Sequence, residues 1–168
     1  IYSAGENLAD GVAKDSSQVS RYGDLIKGEG KKLSGMVEQI LEFAGARSGR
    51  KKYNFGETDM AEVVRSALAE CRPQIDKAGF EIETDISKQL PAVKADAESL
   101  VTAIKNLIQN AVKYSNGSRK IMVAAVNGGG SIRLTVEDQG IGIAASEQKQ
   151  IFEPFYRSKD VVDAQIHG

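Results

Sequence analysis

The sequence predicts an α+β protein: a helical hairpin, half of a dimeric four-helix bundle, followed by an α/β sandwich. Three observations carry that prediction. A seven-residue apolar repeat runs from Val19 to Phe43. A polar, glycine-containing break, "SGRKK", follows it at residues 48–52. Beyond the break, two-residue alternation and helical periodicity take turns along the chain.

In the first part, Ile1, Ala4, Leu8 and Val12 form a short helical stripe that "KDSSQ" interrupts. Asp15 then caps a new helix, with Gln18 as its reciprocal partner three residues on. Val19, Ile26, Leu33 and Ile40 occupy one seam of that helix, and Tyr22, Glu29, Met36 and Phe43 the other. Gly28, Gly30 and Gly35 weaken it by about 1 kcal/mol each relative to Ala, so packing must hold it. A lone hairpin cannot cover both seams, and pairing two copies into a four-helix bundle does. Residues 1–48 are therefore a partial hairpin, 49–53 a linker and 54–168 a second domain.

In that domain "YNF" reads as a short strand. Asp59 and Glu62 form a capping box for a helix reaching about Lys77, which Pro73 should bend or interrupt. "FEIETDI" alternates as a strand, and "SKQLPAVKA" reads as a loop. Asp96 to Tyr114 is a strong helix. "KIMVAAV" and "SIRLTVED", joined by "NGGG", read as an antiparallel hairpin. "AASEQKQIF" reads as a further helix. These elements put helices on one face of a mixed, largely antiparallel sheet.

Bulk composition excludes several classes. The 168 residues are 41% hydrophobic and 27% charged, ordinary values for a soluble globular chain. A net charge of −1 supplies no basic field for nucleic acid. No apolar run reaches membrane-span length, so no membrane contact is expected. The single cysteine, Cys71, can form neither an internal disulfide nor a cysteine metal cluster and reads as a buried, inert thiol. A reducing, cytoplasmic setting fits. The chain opens on Ile1 and stops at "QIHG", and is expected to be a segment of something longer.

Chemistry concentrates in three stretches. In "NLIQNAVKYS", with Asn106 as zero, Asn110 lies at about 40°, Lys113 at about 340° and Tyr114 at about 80° around an ideal helix. Leu100, Ile104, Leu107, Ile108 and Ala111 fall between about 100° and 200°, a separate arc for a sheet. An amide oxygen is a hard neutral ligand for Mg²⁺, and an ammonium one turn away suits a phosphate. That face reads as a Mg-nucleotide site; alone it fits a solvated face equally well. In "LTVEDQGIGI", Asp138 ends a strand and Gly140 and Gly142 follow. Glycines there permit a sharp turn and close approach to a ligand, and the carboxylate can accept from an exocyclic amine such as that of adenine. Alone this is also a plain turn. In "IFEPFYRSKD", Phe152 and Phe155 bracket Pro154, and "YRSKD" opens a polar loop. Arg157 and Lys159 could reach phosphates from it, or simply be solvated. A Walker A loop and a dinucleotide fingerprint are both absent from the sequence.

Together, in that order and within about fifty residues, the three stretches resemble the N, first G and F boxes of sensor histidine kinases. The catalytic domains of that family have the Bergerat-type, or GHKL, ATP-binding fold shared with gyrase B, Hsp90 and MutL. "RYGDLIKGEGKKLSGMVEQILEFAGARSG" resembles the second helix of the family's dimerisation and phosphotransfer hairpin, and "IYSAGENLADGV" the tail of the first. The resemblance implies ATP and Mg²⁺ as cofactors, with Asn110 as the Mg²⁺ ligand and Asn106 beside the phosphates. It implies Lys113 at a phosphate, Tyr114 near the ribose or lid, and Asp138 on the adenine amino group. Gly140 and Gly142 would form the lid hinge, and Tyr156 and Arg157 would belong to the lid.

ATP-hydrolysing relatives of this fold place a glutamate general base where this chain has Asn106. An amide cannot take that proton, which favours transfer over hydrolysis. The implied activity is that of a protein histidine kinase. It acts as a homodimer through the hairpin and passes phosphoryl from ATP to a histidine and on to a response-regulator aspartate. Docking of that regulator is expected between Ile1 and Lys31.

Two family features are absent from the sequence. No histidine stands in an H-E-L-R-T-P-L-like context, and His167 reads as exposed loop. The second glycine box is missing, with Gly168 as its possible first glycine, so the sandwich is expected to be incomplete at its C-terminus and weak in ATP binding by itself. Two other readings share parts of the pattern: a serine/threonine kinase of the same fold, and a non-catalytic nucleotide-sensing dimerisation module.

Overall fold

The structure is a computed structural model that describes residues 1–47, 52–153 and 156–158. It divides into two compact units, Ile1–Lys52 and Tyr53–Gly168. Residues 49–51 of the expected linker (49–53), the turn at Pro154 and Phe155, and Lys159, His167 and Gly168 lie outside the described residues.

The first unit is a helical hairpin of α1 (Tyr2–Ala9) and α2 (Ser16–Arg47). Gly11, at φ 67°, takes the left-handed conformation that lets the chain leave α1. Asp15 accepts the Gln18 N–H at 2.8 Å, and the Gln18 side chain accepts the Lys14 N–H at 3.0 Å. The cap therefore forms as expected, with its reciprocal bond one residue earlier. Asn7 donates to the Tyr22 hydroxyl at 3.2 Å, fixing one helix against the other. Only Ala4 is buried among the described side chains here. Val19, Leu33, Met36 and Ile40, four of the eight seam positions, are 43–56% exposed.

The second unit contains β1 (Gly56–Thr58), α3 (Met60–Ala78), β2 (Glu81–Ile86), β3 (Val93–Ala95), α4 (Ala97–Lys113), β4 (Lys120–Asn127) and β5 (Ile132–Asp138). Strands β2, β4 and β5 form a mixed sheet in that order, β2 parallel to β4 and β4 antiparallel to β5. Strands β1 and β3 pair antiparallel as a separate ribbon. Val63, Val64, Ala67, Cys71 and Ile75 of α3 and Ile104, Ile108 and Ala111 of α4 meet Ile121, Val123 and Ala125 of β4 in one core. Burial alternates along β4, as a half-buried strand requires. Glycines 129 and 130, at φ 71° and 117°, make the β4–β5 turn, and the Asn127 side chain accepts the Gly129 N–H at 3.1 Å.

The structure departs from expectation in five places. The first strand begins at Gly56, not at "YNF". The loop "SKQLPAVKA" contains β3, whose pairing is with β1, about forty residues earlier, and is invisible to local pattern. Helix α3 runs uninterrupted through Pro73. Pro73 and Ala69, whose carbonyl loses its helical donor, both face solvent, while Cys71 and Ile75 anchor the buried side. Asp59 caps α3 through the N–H groups of Ala61 and Glu62, but Glu62 pairs with Arg65 at 2.6 Å instead of closing the capping box.

The last departure is "AASEQKQIF". It forms turns and a short 3₁₀ helix, Gln150–Phe152, stitched mainly by bonds three residues apart. Ile151 is 37% and Phe152 84% exposed, so the segment has no buried apolar stripe to sustain an α-helix.

Candidate functional site

Strand register decides where Asp138 points. Residues 132, 134, 136 and 138 of β5 share one face, and Val136 and Leu134 pair with the buried Val123 and Ala125. Asp138 therefore ends β5 on the helix-facing side of the sheet. Its Oδ1 accepts the Gly140 N–H at 2.8 Å. The chain then returns to α4: the Ile141 N–H donates to the Tyr114 carbonyl at 3.1 Å, and Ser115 bridges Gly140. A Cβ on Gly140 would run into that Tyr114 carbonyl oxygen and come within 2.7 Å of Asp138 Oδ1. Gly142 differs. Its surroundings are open, but its φ of 72° is one L side chains rarely adopt. The two glycines expected to act together as a hinge thus have separate roles. Gly140 packs the turn against the end of α4, and Gly142 redirects the backbone beyond it.

Between α4 and this turn lies a cleft of about 1050 Å³. Asn110 lines it from α4 and Tyr114 from the cap of that helix, Asp138 from the end of β5, and Gly142, Tyr156 and Arg157 from the segments that follow. Six of the nine residues singled out in the sequence therefore share one wall-to-wall space. Asn106 is exposed one turn before Asn110, and neither it nor Gly140 lines the cleft. Lys113 is also set back from it, with Nζ 5.0 Å from the Tyr114 ring centroid in a cation–π contact.

Leu107, Val136, Ile141, Ile143, Ile151 and Phe152 add an apolar lining that the sequence reading did not assign to the site. Helical spacing puts Leu107 on the sheet-facing arc, but it is 48% exposed and opens onto the cleft. Its angle of about 100°, at the rim of that arc and nearest Asn110, is the signal that could have found it.

The outer wall has its own tie. The Tyr156 hydroxyl donates to Glu147 Oε1 at 2.8 Å, and this bond holds the phenol above its usual pKa range, with desolvation adding to it. Cys71 is 3% exposed on the buried face of α3, and burial pushes its thiol up, which keeps it inert as expected.

This arrangement can receive a flat apolar group against the aliphatic lining, with a carboxylate at its edge and amide, phenol and guanidinium groups further along. Its size is at the upper end of small-molecule sites, which run from about 300 to 1,000 Å³. The fit to a nucleotide is therefore good. For Mg²⁺ the α4 wall of the cleft offers a neutral amide oxygen, at Asn110, which suits an ion held mostly by phosphates and water.

The family described as "Histidine kinase-, DNA gyrase B-, and HSP90-like ATPase" matches residues 95–168. The sensor-like histidine kinase SenX3 of Mycobacterium tuberculosis is 32% identical over 145 residues, which cover 86% of this chain and 35% of SenX3. The adaptive-response sensory kinase SasA of Prochlorococcus marinus is 30% identical over 135 residues, 80% of this chain and 36% of SasA. Full-length ShkA, solved in complex with AMPPNP, superposes with a TM-score of 0.72 at 27% identity, covering 85% of this chain and 31% of ShkA. Histidine kinase AdeS of Acinetobacter baumannii shares the fold, at TM-score 0.72 and 23% identity, over 88% of this chain and 72% of AdeS.

The second unit is thus an ATP-binding domain of the histidine kinase, gyrase B and HSP90 type. The chain belongs to the sensor histidine kinases and spans about 35% of the length of the curated relatives it matches first. No helix among the described residues is long and apolar enough to cross a membrane.

Proposed function

We propose that the cleft binds Mg-ATP and that the whole protein is a histidine kinase. It transfers the γ-phosphoryl group to a histidine outside this chain and from there to an aspartate of a response regulator. The observation that carries this reading is the convergence of Asn110 and Tyr114 of α4 with Asp138 and Gly142 of the β5 turn on one cleft.

In this reading Asp138 accepts the adenine amino group with the oxygen that does not bind Gly140, and the aliphatic lining excludes water around the ring. Asn110 offers its amide oxygen to Mg²⁺, which when bound neutralises phosphate charge. Lys113 and Arg157 counter the phosphates, and Tyr114 and Tyr156 flank the nucleotide. Asn106 puts an amide beside the phosphates where a hydrolytic enzyme needs a base. An amide does not take up a proton near neutral pH, so activation of water is disfavoured relative to transfer. The exposed seam of α2 supports dimerisation through the hairpin, because a second copy would cover Val19, Leu33, Met36 and Ile40. The regulator docks on exposed residues between Ile1 and Lys31.

A longer form that includes the acceptor histidine, incubated with γ-labelled Mg-ATP, tests the proposal. Acid-labile, base-stable label is expected. A folded protein that binds nucleotide without acquiring label would be a non-catalytic sensing module, and acid-stable label would point to the serine/threonine alternative.

A further inference from the structure

Glu147 has no place in the three sequence motifs and does not line the cleft. Yet it is the junction from which the cleft's outer wall is hung. Its carbonyl accepts the Gln150 N–H at 2.8 Å and the Ile151 N–H at 3.1 Å, starting the 3₁₀ turn that carries Ile151 and Phe152. Its carboxylate accepts the Tyr156 hydroxyl at 2.8 Å. Tyr156 is further tied by its own N–H, which donates to the Glu153 carbonyl at 3.2 Å. Ile151, Phe152, Tyr156, Arg157 and Ser158 all line the cleft.

We propose that Glu147 is a positioning residue for nucleotide binding. Through its bond to the Tyr156 hydroxyl it holds Tyr156, and with it the adjoining Arg157, at the cleft mouth. The inference rests on the nucleotide reading of the cleft. Two physical arguments support it. Among the segment's described apolar side chains Ile151 is 37% and Phe152 84% exposed, so their packing holds the wall weakly and polar ties add what fixes it. A phenol-to-carboxylate bond is also charge-assisted, hence shorter and stronger than a neutral pair. A glutamate that merely decorated the surface would leave its carboxylate to water.

The test measures the affinity of the chain for a trinitrophenyl-ATP probe with Mg²⁺ in wild type, Glu147→Ala, Glu147→Gln, Tyr156→Phe and the double variant Glu147→Ala/Tyr156→Phe. A side-chain hydrogen bond of ordinary strength corresponds to about a three- to tenfold loss of affinity. Glu147→Ala and Tyr156→Phe should each show it. The double variant should lose no more than either single one, and Glu147→Gln, whose amide oxygen still accepts, should recover part of the loss. Additive losses, or an unchanged Glu147→Ala, overturn the proposal.

Ultraviolet titration of the tyrosines gives a readout independent of nucleotide. Of the chain's five tyrosines, the one absent from Tyr156→Phe should ionise late in wild type and move back to the ordinary range in Glu147→Ala. If wild type binds no probe while this shift is present, the nucleotide reading fails and the tie stands. If the shift is absent, the tie itself fails.

Discussion

Replacing Gly140 with Ala tests whether the β5 turn is packed onto α4 or merely passes it. The added Cβ meets the Tyr114 carbonyl oxygen head-on and lies 2.7 Å from Asp138 Oδ1. The carbonyl has little room to yield, because Tyr114 closes α4 through its N–H bond to the Asn110 carbonyl at 2.8 Å. The turn must therefore move. Doing so strains or breaks the bond from Ile141 to Tyr114 and the bond from Gly140 to Asp138, each worth about 1 kcal/mol. Overpacking strain adds about 1–3 kcal/mol. The expected destabilisation is about 3 kcal/mol, a large share of a typical domain's 5–15 kcal/mol or so.

Urea unfolding followed by circular dichroism reads this as a fall in midpoint of about 1–3 M. Gly142→Ala is the internal control. It meets open space and suffers only the left-handed backbone penalty, about 1–2 kcal/mol. A Gly140→Ala protein within about 0.5 kcal/mol of wild type, or one less affected than Gly142→Ala, would refute the packing argument.

Other expectations follow from burial and charge. Asn110→Ala should abolish the rise in melting temperature produced by Mg-ATP while leaving the ligand-free protein within about 0.5 kcal/mol of wild type, since Asn110 is exposed. A preserved rise would remove Asn110 from the site. Ile104→Ala, at a side chain 1% exposed, should cost about 2–5 kcal/mol in urea unfolding. Cys71 should react with a disulfide reagent only in denaturant, and equal rates with and without urea would contradict its burial.

Lys105 bonds Glu70 across α3 and α4, and that bond raises the ammonium pKa. A raised lysine pKa contributes stability below the unfolded value, about 10.4, and loses it as pH climbs through the folded value. Because the Glu70 side chain is 53% exposed, Lys105→Met should cost under about 1 kcal/mol at pH 7, and that cost should vanish in strong alkali.

Features that one element determines alone were legible in the sequence. The apolar arc of α4, the β4–β5 hairpin with its glycine turn, and the seam of α2 each follow from spacing within a single segment. What escaped depends on a distant partner. Strand β3 is three residues, too short to alternate, and exists because Gly56–Thr58 lies beside it. The segment "AASEQKQIF" has helix-favouring composition, but propensity loses when there is nothing to bury.

The site divides along the same line. Asn110, Tyr114 and Asp138 announce themselves by residue type, whereas Gly140 and Gly142 look alike in the sequence and need opposite things: one the absence of a Cβ, the other a left-handed φ. Leu107 and Glu147 went unassigned for a related reason. A leucine at the rim of an apolar arc serves the core or a cleft according to what the neighbouring chain leaves open beside it. Here the β5 turn, held to the end of α4 through Tyr114, leaves a cleft. The chemistry of this site is therefore written in α4 and β5 separately, but its shape arises only from the bonds that join them.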